Sequence, residues 1–282
     1  MPNTPEAAIP PKRRKRRSNW FDRLVSVVVY AVFAALLLPL GLVVLFSFNN
    51  ATNISWPFKG FSLRWYEYLF HQPRVYEVTL NSLQLAAIVG LTATVLGTLG
   101  GIALARHTFR GKAWLERLRL LPIIMPHLMI ALGLVVLFVS LGFSLSFWAV
   151  AIGHITITLP FALLIIQSRM VGFDTRLEDA SRDLGAGWST TYRRVVLPII
   201  SPAIRAAFFF ALIISLNEVI IAFFLAGYDT TLPVYMYGQF LRVISPESNA
   251  ISGVMVVLAA AMLLFERLVT RALTEVRGRQ SA

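Results

Sequence analysis

The chain has no cysteine, which excludes disulfides and thiolate metal sites. It is also poor in charge: Asp, Glu, Lys and Arg make up 14% of its 282 residues, against about 25% in ordinary globular domains. A soluble fold of this length needs more charge than that to coat its surface. Acidic groups are the scarcer kind, 14 against 26 Lys and Arg. The four histidines, His71, His107, His127 and His154, are scattered without metal-ligand spacing, so no metal site is expected. No Ser/His/Asp set or paired carboxylates suited to catalysis occur, and no G-x-x-x-x-G-K phosphate loop is present. No residue is a candidate for catalysis, and the chain reads as neither an enzyme nor an ATPase.

What is abundant is apolar. Hydrophobic residues make up 57% of the chain, above the usual 45–50% or so. A helix needs about 20 mostly apolar residues to cross a bilayer. Six stretches qualify: about 24–48, 80–105, 120–141, 147–168, 205–226 and 250–270, the last interrupted by Glu266 and Arg267. The expected fold is an all-α membrane protein with about six transmembrane helices.

The net charge of +12 is compatible with nucleic acid, but its distribution points to a membrane instead. With the N-terminus inside, 22 of the 26 Lys and Arg fall on the cytoplasmic side. The other four, Lys59, Arg64, Arg74 and Arg242, fall outside. This asymmetry is the positive-inside signature and places both termini in the cytoplasm. The run from Lys12 to Arg17 is then an orientation signal in a tail lying on anionic lipid. Residues 1–23 form a basic cytoplasmic tail, 24–273 the transmembrane domain and 274–282 a second tail. The outer loop from Asn49 to Thr79 is crowded with Trp56, Trp65, Tyr66, Tyr68 and Phe70. Such rings suit the headgroup region, and a short interfacial helix is expected near 62–70.

The fourth and fifth spans are joined by a long patterned cytoplasmic segment, with its core at 169–202. Asp174 can cap a helix running through Leu177-Glu178-Asp179-Ala180-Ser181. Gly185 ends that helix by adopting positive φ. A second short helix follows over Trp188 to Val195 and is expected to stop at Leu197-Pro198. Trp188, Tyr192 and Val195 fall on one apolar stripe. Flanked by Arg193 and Arg194, the stripe suits docking into a groove on another protein. It suits packing back on the chain's own helix ends equally well.

The spacing of these residues carries a resemblance. Asp179-Ala180-Ser181, three residues, Gly185, nine residues, then Val195 and Leu197-Pro198 resembles the E-A-A…G…I-x-L-P loop of permease subunits of ABC importers. Asp179 stands in place of Glu, with Glu178 just before it, and Ser181 in place of the second Ala. Further stretches are similar to the second permease of spermidine/putrescine importers. They are Phe48-Asn49, Trp56-Pro57, Gly60 to Tyr66, His154 to Thr156, Leu159-Pro160-Phe161, Ile244 to Glu247 and Asn249-Ala250.

The resemblance implies a type I ABC importer permease in a bacterial inner membrane. It would pair with a second related permease and receive substrate from a periplasmic binding protein. ATP-binding subunits holding ATP and Mg would grip Glu178, Asp179, Ala180, Gly185, Trp188, Tyr192, Val195, Leu197 and Pro198. This chain itself would carry no cofactor. Its cargo would be a polyamine or related organic cation; an opine, a quaternary amine or an aminophosphonate is the alternative. An acid inside the membrane normally faces a cavity or a partner. Asn217 and Glu218 are therefore candidates for the substrate path, where the family often has two acids. His154 and Thr158 are candidates too, although interhelical hydrogen bonding is the ordinary role of such groups. An ion-coupled secondary transporter is the competing class, and it predicts inverted repeats that the sequence lacks.

Overall fold

The computed structural model describes residues 20–51, 57–242 and 246–280. The basic run Lys12–Arg17, Trp56, Ile244 and Ser245 lie outside them. The elements, in order, are α1 (Trp20–Ser47), α2 (Arg64–Phe70), α3 (Pro73–Arg106), α4 (Lys112–Leu118), α5 (Leu121–Ile124), α6 (His127–Ser140), α7 (Phe147–Val171), α8 (Arg176–Asp183) and α9 (Trp188–Thr191). A π-helical turn, Tyr192–Val196, leads into α10 (Leu197–Asn217), followed by α11 (Ile220–Leu225), α12 (Leu232–Arg242) and α13 (Pro246–Gln280). Among the described residues there is no strand, only an isolated bridge between Asn49 and Phe61.

Among the described residues, four helical stretches are long and apolar enough to cross a membrane alone: Asp22–Ser47, Pro73–Arg106, Phe147–Val171 and Trp188–Asn217. The expected span at 120–141 is instead two helical pieces, Lys112–Ile124 and His127–Ser140, meeting at 108°. Pro126 stands at the bend, where it lacks an N–H and constrains Met125 to extended backbone. The expected span at 205–226 is also broken, because α10 ends at Asn217 and Glu218 is extended. The last expected span lies within α13, whose apolar part, Glu247–Met262, is the shortest of the set.

α3 and α7 form the centre of the fold, and glycine sets their separation. A β-carbon placed on Gly97 would lie 2.5 Å from Ala162 Cβ, and one on Gly101 would lie 2.8 Å from Ile166 Cβ. Close approach of this kind is how membrane helices associate when no hydrophobic force drives them together. Gly97→Leu is expected to cost about 3 kcal/mol through overpacking. The check is the thermal midpoint of the detergent-solubilised protein, which should fall clearly below that of wild type.

α10 packs beside this pair. Ile102, Ala162, Ile166, Met170, Val196 and Ile200 belong to the buried cluster at its N-terminal end. A second cluster, with Ile157, Ile221 and Leu225, holds α6, α7 and α11 together. The interfacial helix expected near 62–70 is α2. Trp65 donates its indole N–H to the Asn49 carbonyl at 3.1 Å, and Tyr66 Oη meets Ser47 Oγ at 2.7 Å. These two rings anchor the loop to the end of α1.

Candidate functional site

The segment between α7 and α10, expected on the cytoplasmic side, has the local parts its sequence implies. Asp174 Oδ1 accepts the Arg176 N–H at 3.1 Å and so caps the start of α8. Gly185 has φ of +82° and ends α8, with its N–H donating to the Arg182 carbonyl at 2.8 Å. Nothing surrounds the place a Gly185 side chain would occupy, so backbone torsion is what requires glycine there.

One expectation fails. Leu197-Pro198 does not stop the second helix, and Trp188–Asn217 runs as one continuous helical stretch. The reason is the turn before it. In a regular helix the Pro198 ring meets the carbonyl four residues back. Here Tyr192–Val196 widens into a π-helical turn, and the Leu197 N–H donates to Tyr192 O, five residues back. A single insertion of this kind is a recognised way to absorb such an irregularity. The consequence is mechanical: α9, the π-turn and α10 connect the loop directly to a membrane-spanning helix.

The apolar stripe divides between the two roles that were open for it. Tyr192, Val195 and Leu197 pack on the chain's own core beside fully buried Val196. Trp188 stacks on Tyr192 with ring centroids 4.1 Å apart, yet is 61% exposed. Asp179 and Ala180 are exposed as well. Leu184, which the motif does not mark, is 90% exposed and sits beside Gly185. Trp188 and Leu184 thus present bare apolar surface on the loop, with acidic Asp179 nearby in sequence.

Glu178 behaves differently from its neighbours. It is buried, and its carboxylate pairs with Arg106 at the end of α3. The Arg106 guanidinium also lies 5.0 Å above the Phe173 ring, and Arg182 approaches the second Glu178 oxygen at 3.8 Å. Ser181 and Thr191 hydroxyls meet at 3.1 Å and join α8 to α9. Glu178 therefore ties the loop to the membrane domain. In sequence Arg106 is only one more cytoplasmic cation, and nothing there marks it as the partner of a carboxylate 72 positions away.

Inside the membrane domain, the two helix breaks meet. His127 opens α6 immediately after the 108° bend, and its Nδ1 lies 2.7 Å from Glu218 Oε2. The other Glu218 oxygen accepts the N–H groups of Ile220 and Ile221 at 2.9 and 3.1 Å. Glu218 thus caps α11 with one oxygen, as side-chain acceptors do at helix starts, and holds His127 with the other. Asn217 is exposed beside it, donating to the Ile213 carbonyl at 2.8 Å. His154 and Thr158 are placed elsewhere. Both are fully buried: His154 Nδ1 meets Ser215 Oγ at 2.9 Å, and Thr158 Oγ1 donates to the His154 carbonyl at 2.8 Å. His154 thereby fastens α7 to α10, while the Thr158 bond stays within α7. His127, scattered among four histidines in the sequence, is the residue that the fold adds to Glu218.

This pairing of a striped cytoplasmic loop with broken membrane helices is that of a transport permease. Residues 97–276 match the family described as "Binding-protein-dependent transport system inner membrane component". The chain belongs to this family and is a multi-pass membrane permease subunit. It is 34% identical over 256 residues to the spermidine/putrescine transport system permease protein PotC of Haemophilus influenzae, covering 90% of this chain and 98% of that one. Identity to the putrescine transport system permease protein PotI of Escherichia coli is 30% over 244 residues, 84% of this chain and 85% of that one. The fold is that of a subunit of a bacterial ABC transporter that imports the acidic polysaccharide alginate. There the TM-score is 0.73 at 17% identity, over 90% of this chain and 96% of that one.

Proposed function

We propose that the chain is one of two related permeases in the bacterial inner membrane, forming an ATP-driven importer for a putrescine- or spermidine-like cation. A periplasmic binding protein delivers the substrate. Separate subunits bind ATP and Mg and dock on Asp179, Ala180, Leu184 and Trp188. Residues 1–23 remain a cytoplasmic tail. The reading is supported by relatives named for polyamine transport that match nearly end to end.

One observation carries the cation reading: a carboxylate, Glu218, at the meeting of two broken helices. A carboxylate within the membrane domain offsets the desolvation of a passing ammonium group. Its Oε2 is occupied by His127 at rest, so a substrate ammonium displaces the imidazole as it passes. Exposed Asn217 adds a neutral polar group beside it. His154 acts by holding α7 and α10 together, and buried Thr158 supports it from the next turn of α7.

The test is uptake of labelled putrescine and spermidine by proteoliposomes holding the assembled importer and its binding protein. Glu218→Gln keeps the shape of the cap and removes the charge. A lost charge-assisted contact of about 1.5–3 kcal/mol predicts a rise in the concentration for half-maximal transport of roughly tenfold to a hundredfold. An unchanged value in this variant overturns the cation role of Glu218. Wild-type proteoliposomes that take up neither polyamine overturn the substrate class.

A further inference from the structure

On the face of the molecule that carries the coupling loop, a groove of about 340 Å³ opens between α3, α4 and α7. Gly100, Phe109, Leu115, Leu159 and Leu163 are among the residues that line it. Its one charged lining residue is Arg119. Both Nε and Nη1 of Arg119 are shielded from solvent and have no hydrogen-bond partner among the described residues. None of the ion pairs found there includes Arg119. A guanidinium stays charged at all physiological pH, and one that is half-buried, with two of its three nitrogens shielded and no counter-ion, is unfavourable. The one acid nearby in sequence, Glu116, is engaged instead by Gln167, whose Nε2 donates to it at 3.0 Å. The surrounding segment is basic, with Arg106, Arg110, Lys112 and Arg117 besides Arg119. It lies on the cytoplasmic side, because Arg106 reaches the coupling helix at Glu178.

We propose that this groove binds one anionic phospholipid, with its phosphate on Arg119 and part of an acyl chain along Gly100, Leu159 and Leu163. The required occupant is anionic at one end and apolar at the other. A lipid supplies both ends, and basic pockets between helices on the cytoplasmic side are where such headgroups settle. The lipid completes the charge balance of Arg119 and pins α4, and with it the short cytoplasmic connection ahead of the 108° bend. The site is independent of which substrate is carried.

The experiment is native mass spectrometry of the assembled importer. The complex is extracted from nanodiscs containing equal amounts of phosphatidylglycerol and phosphatidylcholine. Wild type is expected to retain one phosphatidylglycerol per copy of this chain through stepwise delipidation. Arg119→Ala should lower its occupancy at least tenfold, and Arg119→Lys should retain most of it. Leu159→Trp fills the groove while leaving the cation in place; it should lower occupancy similarly, so a folding defect in one variant leaves the other decisive. Equal retention of the two lipids by wild type overturns the proposal, as does unchanged phosphatidylglycerol occupancy in a folded Arg119→Ala protein. Displacement of the bound lipid by inorganic phosphate alone also overturns it, since the apolar groove would then contribute nothing.

Discussion

Replacing Gly185 by proline is expected to abolish transport while leaving the protein inserted in the membrane. Proline locks φ near −65°, whereas Gly185 sits at +82°. It also removes the N–H that donates to Arg182 O at 2.8 Å and closes the end of α8. The chain then cannot reverse between Leu184 and Trp188, both of them exposed apolar residues of the loop. The membrane core is untouched, because Gly185 contacts nothing with its open side. Gly185→Ala separates torsion from shape. With no steric neighbour it meets only the left-handed penalty of about 1–2 kcal/mol, and partial transport should remain. Uptake measured alongside co-purification of the ATP-binding subunits checks both variants. Wild-type uptake by the proline variant contradicts the coupling role.

The second large effect is expected at the Arg106–Glu178 pair. Removing one partner of a buried ion pair leaves the other charged and unsatisfied, at a cost of about 3–5 kcal/mol. Arg106→Glu and Glu178→Arg should each therefore uncouple the loop from α3. The diagnostic is which activity goes. Glu178 points into the protein, so the ATP-binding subunits should still co-purify, while stimulation of ATP hydrolysis by loaded binding protein is lost. The double exchange, Arg106→Glu with Glu178→Arg, restores opposite charges and should recover part of the stimulation. If Glu178→Arg instead loses the ATP-binding subunits themselves, the carboxylate touches the partner and the tie to Arg106 is secondary.

Much of this design is legible in the chain. Scarcity of charge, long apolar stretches and the segregation of Lys and Arg lead to a membrane protein before any fold is considered. The cytoplasmic loop is legible because its parts are local. Asp174 caps a helix two residues on, and Gly185 breaks one at its own position. Pro198 misleads because the rule for proline assumes a regular α-helix, and the π-turn at Tyr192–Val196 removes that assumption. The apolar stripe misleads by half, since periodicity says which residues share a face and not which partner covers it.

The sequence alone therefore determined the class, the approximate spans and the local parts of the loop proposed for coupling, all of which depend on composition or on neighbours within a few residues. Only the tertiary structure decided which groups Glu178 and Glu218 meet and what surrounds Arg119. Glu178 meets Arg106 from 72 positions away, and Glu218 meets His127 from 91. Arg119 has no ion-pair partner among the described residues, and the acid three positions before it accepts from Gln167 instead. Charges in a low-dielectric setting are governed by whichever group the fold brings within about 4 Å, and no local pattern carries that information.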